Sequence, residues 1–233
     1  VIARADGEIA MDVCWAKSYQ DGARVTINEG AVIEGDVELG LWGQDAYEDN
    51  QSVLTVNGGT ITGELKLDQT ISADEVDETI EALESNIAIN GGSFGSAVDA
   101  YVGTGDQANA KVQSGSTHSY YTSLEDAQKA AKPGDKVTDL NATEADQVTL
   151  TLDYNDGVTA DSEYTVTANT QVTLPTPTRN GYDFRHWSNG SATYTGGDSY
   201  TVTDNVTLTA QWSAKSQGGS SSSGSSSTTY SPT

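Results

Sequence analysis

The sequence contains very little cysteine, proline or positive charge. Among its 233 residues there are one cysteine (Cys14), four prolines and eleven lysines or arginines. A single cysteine excludes an internal disulfide. Together with only two distant histidines, His118 and His186, it also leaves no zinc or copper site with the usual ligand set.

The shortage of basic residues leaves a strongly acidic chain. Thirty-four acidic residues against eleven basic ones give a formal net charge of −23 and a pI near 4.1. A field of this sign repels nucleic acids and anionic membranes, so we expect neither as a partner. The acids are dispersed among Thr, Gly and Asn, which indicates a solvated surface. Local calcium sites are the alternative, although no EF-hand loop is present. We expect no metal and no cofactor.

Long hydrophobic runs are also absent. No apolar stretch approaches the roughly 18 residues that span a bilayer, so we expect no membrane insertion. The sequence begins at Val1 without Met or a signal peptide, which predicts that it is part of a longer protein.

Three segments of the N-terminal half share the pattern apolar-x-apolar-Asn-x-Gly-x-apolar, and they begin at Val25, Leu54 and Ile87. Repetition of short strands and glycine turns is the signature of a β-solenoid, in which each coil covers the apolar face of its neighbour. We expect the asparagines to stack at one corner and share amide hydrogen bonds, with each glycine at positive φ. The residues of this corner are Asn28, Asn57, Asn90, Gly30, Gly59 and Gly92.

Unequal spacing of the repeats predicts insertions between coils. Residues 41–50 form one insertion. Residues 72–85 read as a helix, with Ser72 and Glu75 as a capping box. Residues before Val25, including Ile9 and Val13, predict an earlier and imperfect coil. We assign residues 1–105 to a short β-solenoid with inserted loops and one helix.

Residues 106–147 read as a connector. The polar, Gly-rich stretch 103–113 predicts a loop, and a helix at 124–132 follows, capped by Ser123 and ended by Pro133. A strand is expected from Lys136. The segment 120–140 is similar to the entry helix that opens many parallel β-helices, and we expect it to close the solenoid or dock on it.

Residues 148–212 alternate apolar and polar side chains in two stretches, VTLTLDY and VTLTAQW, which predicts strands with one buried face. Between them lie a turn at residues 175–177, an Asn180-Gly181 turn and an aromatic cluster around Trp187.

This segment, with TPTRNGYDFRHW and a closing VTLTAQW, resembles the Listeria–Bacteroides repeat, also called the internalin B-repeat. The resemblance implies a small β-grasp-like domain at residues 148–213, with Trp187 and Trp212 as structural residues. It also implies an extracellular position, at the surface or wall of a Gram-positive gut bacterium. Residues 214–233 are Ser, Gly and Thr in the main and predict a disordered linker.

Candidate chemistry is weak throughout. Residues 91–95 match G-x-S-x-G, but Ser93 shares the repeat register of Thr60, whereas a nucleophile elbow needs a strand, a strained turn and a helix. Neither histidine has an evident orienting partner. No pair of acids can be placed at a separation of roughly 5–10 Å, as glycoside cleavage requires. We therefore expect no catalytic residue.

Aromatic side chains on loops are the candidate binding groups. Trp42 and Tyr47 lie on the first insertion, and the sequence places Tyr120 and Tyr121 on another loop. Aromatic faces can stack on sugar rings, although packing over the solenoid flank is the alternative. If a ligand exists, we expect it at Trp42 and Tyr47.

These observations predict a mainly β chain: a short right-handed parallel β-solenoid with helical inserts, followed by a small β-grasp-like repeat domain. The expected function is a non-catalytic cell-surface adhesin or stalk, with a host or microbial surface glycan or protein as its partner. The alternatives are a carbohydrate-binding module and a β-helix polysaccharide-active enzyme.

Overall fold

A computed structural model of the chain describes residues 2–3, 9–16, 23–42, 53–67, 86–102 and 106–216. The strands of the N-terminal half are β1 (Ile2–Ala3), β2 (Ile9–Ala16), β3 (Arg24–Ile27), β4 (Val32–Glu34), β5 (Asp36–Trp42), β6 (Val53–Val56), β7 (Thr60–Ile61), β8 (Leu65–Leu67), β9 (Ile87–Ile89) and β10 (Gly92–Phe94). The connector contains β11 (Ala110–Ser114), β12 (Thr117–Tyr121), helix α1 (Leu124–Ala130) and β13 (Lys136–Asp139). The C-terminal module contains β14 (Gln147–Asp153), β15 (Ser162–Thr167), β16 (Thr170–Thr173), β17 (Tyr182–Ser188), β18 (Thr193–Tyr194), β19 (Ser199–Val202) and β20 (Val206–Ala214). Short 3-10 helices occupy Asp99–Tyr101 and Glu144–Asp146.

The first ten strands wind into a β-solenoid of about four turns, as the repeat predicts. Three parallel stacks form its faces: β1-β4-β7-β10, β2-β5-β8 and β3-β6-β9. Ile33, Ile61 and Phe94 lie in register in the first stack and are buried, so each coil covers its neighbour's apolar side chains. The expected earlier coil is present, because β2 pairs in parallel with β5 and Val13 is buried.

The connector extends one face of the solenoid. Strand β12 pairs antiparallel with β10 and with β11, and β11 pairs with β13. Strand β13 then pairs in parallel with β15, so one sheet of twelve strands runs from the solenoid into the C-terminal module. The expected loop at residues 103–113 is wrong from Ala110 onward. Ala110 and Val112 are buried and alternate with Lys111 and Gln113, which gives β11 one apolar face.

Two hydrophobic cores lie on opposite faces of this sheet. Tyr120 belongs to the solenoid core, so its neighbours Ser119 and Tyr121 point to the other face. Val112 is paired with Ser119, shares that outer face and belongs to the second core. Ala127 of α1 is buried in the same core. The solenoid is therefore closed by the β11–β12 hairpin, of which only Tyr120 and Tyr121 belong to the segment 120–140 that was expected to close it. The helix of that segment packs on the reverse side, where the apolar face of β11 lies.

The C-terminal module surrounds the second core. Strand β14 pairs antiparallel with β15 and in parallel with β20. Strand β20 in turn pairs antiparallel with β17. Strands β16 and β19 form a separate two-stranded sheet. The predicted alternation is confirmed, because Leu150, Leu152, Leu208 and Ala210 are buried. The chain is mainly β, as the sequence predicts.

Some sequence predictions fall outside the described residues. They are residues 43–50 of the predicted insertion 41–50, the helix at 72–85 and residues 217–233 of the predicted linker 214–233. The bounds of two of these predictions need correction, because Leu41 and Trp42 belong to β5 and Ala214 ends β20.

Candidate functional site

The corner asparagines form a hydrogen-bonded row along the solenoid. Asn57 Nδ2 donates to Asn28 Oδ1 at 3.1 Å, and Asn90 Nδ2 donates to Asn57 Oδ1 at 2.9 Å. Each asparagine directly follows a strand of the third stack, which is why the repeat brings the three side chains together. We call this row the asparagine ladder.

The glycine two residues after each asparagine is required by the backbone. Gly30, Gly59 and Gly92 have φ angles of 82°, 86° and 112°, which L side chains rarely adopt. At Gly59 space is also lacking, because a Cβ there would lie 2.8 Å from the carbonyl oxygen of Ala31.

The ladder ends on the segment that enters the connector. Asn90 Oδ1 accepts from the backbone N–H of Gln107 at 2.9 Å, and Asp106 Oδ2 accepts from the N–H of Ile89 at 2.9 Å. Residues 106–108 thus cover edge strand β9 and satisfy donors that an open edge would leave to solvent.

A polar cluster caps the last coil. The hydroxyl of Tyr120 accepts from the N–H of Val98 at 2.8 Å and donates to Asp99 Oδ1 at 2.9 Å, while Lys111 pairs with the same carboxylate. Burial raises the pKa of Tyr120 above its ordinary value, so the phenol stays protonated. Burial, followed by the nearby Lys111 charge, lowers the pKa of His118, which lies on β12 and not in the loop that the sequence suggested.

A second ion pair joins adjacent coils near the start of β5. Asp36 Oδ2 lies 2.7 Å from Lys66 Nζ, and Asp36 Oδ1 accepts from the N–H of Glu64 at 2.9 Å. The hydrogen bond from Lys66 is the main cause that lowers the pKa of Asp36, followed by the Glu64 N–H. The folded protein therefore holds Asp36 in its ionised form.

A shallow groove of about 340 Å³ follows the asparagine corner and ends at strand β12. Its lining consists of backbone glycines, amides, hydroxyls and tyrosine, with one carboxylate: Glu29, Asn57, Gly58, Gly59, Asn90, Gly91, Gly92, Ser93, Ser119, Tyr120, Tyr121 and Thr122. Ser93 and Ser119 are joined through their Oγ atoms at 2.8 Å. We call this feature the corner groove.

A second groove of about 290 Å³ shares Ser119 and Tyr121 with the corner groove and lies between β12 and the end of α1. It is lined by Val112, Ser114, Thr117, Ser119, Tyr121, Ala130, Lys132 and Asp135. Tyr121 is half-buried and lines both grooves, so the fold sets this aromatic side chain beside polar, open surface.

The expected binding pair Trp42 and Tyr47 stays a prediction. Trp42 is the last residue of β5, and Tyr47 lies outside the described part of the chain. The other aromatic pair is on a strand and not on a loop. Because side chains alternate along a strand, the Tyr120 side chain is buried in the solenoid core and the Tyr121 side chain is half-buried on the other face; both residues contribute to the groove lining.

The aromatic cluster of the C-terminal module is structural. Trp187 is fully buried, and its Nε1 donates to the carbonyl of Pro175 at 2.8 Å. Trp212 Nε1 donates to the carbonyl of Tyr154 at 2.8 Å. Phe184 lies between the two indoles, with ring centroids 5.6 Å from each. The contact of Phe184 with Trp212 joins β17 to β20, whereas the two indole hydrogen bonds tie these strands to the segments at Pro175 and Tyr154.

Residues 149–211 match the family model of the Listeria-Bacteroides repeat domain, which confirms the resemblance that the sequence indicated. Repeats of this kind occur in bacterial surface proteins, and the match indicates a surface or extracellular module. No curated protein matches the chain, and no solved structure does.

The described residues offer little for chemistry. They contain no group of three His, Cys, Asp or Glu side chains that could hold a metal ion. None of the helices in the same ranges has the length and apolar character needed to cross a membrane. Ser93 lies on β10 opposite Thr60 of β7, in parallel strand pairing, so the surroundings of a nucleophile elbow do not exist there.

Proposed function

We propose that this chain is a non-catalytic extracellular module that acts as a stalk and presents or spaces binding surfaces. The observation that carries this proposal is the sheet of twelve strands that continues from the solenoid through the connector into the C-terminal module. Backbone hydrogen bonds across every strand junction resist bending between the two cores. A stalk needs that stiffness, because a hinge would let the presented surface fold back.

The stalk is placed at the surface or wall of a Gram-positive bacterium. Support comes from the match over residues 149–211, and from a net charge of −23 that disfavours nucleic acid as a partner. Its partner would be a glycan or protein of a host or microbial surface. Antibody labelling of intact cells that produce the protein tests the location; labelling only after lysis would contradict it.

Small-angle X-ray scattering of the full chain tests the stalk. A compact chain of this length would have a radius of gyration of about 17 Å, and we expect a clearly larger value with a rod-like cross-section. Ser119→Pro in β12 is the informative variant, because proline removes a hydrogen bond in the middle of the sheet. It should broaden the distance distribution. A compact wild-type particle would contradict the proposal.

The absence of catalysis is tested separately. Incubation with pectin-like and mucin-like polymers should release no reducing ends. Turnover that a single Asp or Glu substitution abolishes would favour the polysaccharide-active alternative instead.

A further inference from the structure

We propose that the corner groove binds a neutral, linear oligosaccharide, with the ring of Tyr121 as its stacking platform. The groove is open, elongated along the coils and lined by uncharged polar groups, apart from Glu29 at the end away from the connector. Sugar recognition uses this combination: hydrogen bonds in the plane of the ring and an aromatic face beneath it.

The asparagine ladder supplies hydrogen-bond donors along the groove. Within the described residues, the ladder takes one N–H from each of Asn57 and Asn90, and an amide nitrogen carries two. The second N–H of each side chain is therefore available to a hydroxyl of the ligand. Consecutive coils of a parallel stack repeat every 4.7–4.9 Å or so, which is close to the length of one pyranose unit in an extended chain.

The end of the groove next to the connector supplies the aromatic contact and hydroxyls. Tyr121 and Thr122 stand at the end of β12, next to the linked Ser93 and Ser119 hydroxyls. Tyr121 is anchored on one side, because it packs against the second core, and this fixes the ring at little entropic cost.

Charge selects the class of saccharide. The chain carries a net charge of −23, and the groove lining contains a carboxylate and no basic side chain. A uronate or sialylated ligand would be repelled, and no guanidinium or ammonium in the lining would compensate. A neutral glycan meets no such penalty.

Isothermal titration calorimetry of the full chain against cellohexaose, chitohexaose and maltohexaose tests the proposal. We expect saturable one-site binding to at least one of them at millimolar concentration or below, and none to a galacturonate hexamer. Tyr121→Ala should weaken that binding about tenfold or more, which corresponds to roughly 1.4 kcal/mol. Tyr121→Phe, which keeps the ring, should bind within about twofold of wild type.

Two further variants separate binding from folding. Thr122→Arg places a long side chain across the groove at an exposed position, and it should abolish binding while the unfolding transition stays unchanged. Tyr182→Ala is the matched control, because this tyrosine is exposed on the C-terminal module and should leave affinity unaltered. Absence of binding to all three neutral hexasaccharides overturns the proposal, as does binding that survives both Tyr121→Ala and Thr122→Arg. Either result would leave the proposal of a stalk standing, because small-angle X-ray scattering tests that proposal separately.

Discussion

Asp36 and Lys66 are 30 residues apart in sequence and form an ion pair between consecutive coils, with Asp36 Oδ2 2.7 Å from Lys66 Nζ. The side chain of Asp36 is almost fully buried, whereas about a third of the Lys66 side chain is exposed to solvent. Because Asp36 also accepts the N–H of Glu64, a single side chain satisfies two donors of the next coil.

Removal of this carboxylate should destabilise the solenoid. Asp36→Ala leaves the Glu64 N–H and the Lys66 ammonium without their acceptor, and we expect a loss of about 1–3 kcal/mol in the free energy of unfolding. Urea denaturation monitored by circular dichroism measures it. Glu34→Gln, at an exposed position two residues earlier, is the control and should change stability little.

The same pair should make stability depend on pH. The Lys66 hydrogen bond lowers the folded pKa of Asp36 below the ordinary value of 3.8. The stabilisation is therefore complete above that value and is lost as the pH falls through the folded pKa. The difference in unfolding free energy between wild type and Asp36→Asn should be largest near neutral pH and shrink below about pH 4. A difference independent of pH would show that Asp36 is not ionised in the fold.

The asparagine ladder predicts unequal effects along one row. Asn57 takes part in two side-chain hydrogen bonds of the ladder and Asn28 in one. Asn57→Ala should cost about 1–2 kcal/mol, and Asn28→Ala about half of that. Equilibrium unfolding of both variants makes the comparison. Equal costs would mean that the ladder hydrogen bonds do not contribute separately.

Replacing glycine by alanine should cost more stability where the glycine touches a neighbouring coil than where it stands in an open turn. A Cβ at Gly95 would lie 1.9 Å from the carbonyl oxygen of Thr62, on the backbone of the preceding coil. Gly95→Ala should therefore cost about 3 kcal/mol or more, because the coils must move apart. Gly115, in the turn between β11 and β12, has open space around it and a φ of 61°. Gly115→Ala should cost only about 1 kcal/mol from strain. Thermal unfolding of the two variants ranks them, and a similar loss in both would contradict the close approach of coils at Gly95.

The cap of the solenoid depends on one phenol. Tyr120→Phe removes the acceptor of the buried Val98 N–H and the donor to Asp99, and we expect a loss of about 1–3 kcal/mol. Burial raises the pKa of Tyr120. Its stabilising effect is thus complete below the unfolded pKa and is lost only as the pH rises through the folded one.

Absorbance titration supplies an independent check on Tyr120. Its ionisation should coincide with alkaline unfolding and not precede it. Tyr182→Phe serves as control, because that side chain is exposed and its replacement should leave the ionisation step that accompanies unfolding in place.

The repeat could be recognised from sequence because its information is local and periodic. Asn57 and Gly59 stand at fixed positions after a strand, and the other two repeats have the same residues at the equivalent positions. The alternation around Leu150 and Leu208 is equally local, since the period of two needs no knowledge of the partner strand.

Non-local pairing explains what the sequence did not reveal. The repeated pattern ends before the strands that contain Asp36 and Lys66. The contact between these two residues follows only when the alignment of the coils is extended to β5 and β8. The groove at Tyr121 arises only when β12 docks on β10, a pairing that no repeat encodes. The sequence predicts a loop at these residues, whereas the alternation of the buried Tyr120 with the half-buried Tyr121 is the signal of a strand.

The placement of two cores on opposite sides of strand β11 leaves this strand no freedom to shift. Val112 must face one interior while Lys111 faces the polar cap of the other. A single inserted or deleted residue would exchange these roles, driving an ammonium into apolar surroundings and a valine under the carboxylate of Asp99. We therefore expect natural length variation to be confined to the turns on either side of β11, whereas the strand itself keeps a constant number of residues.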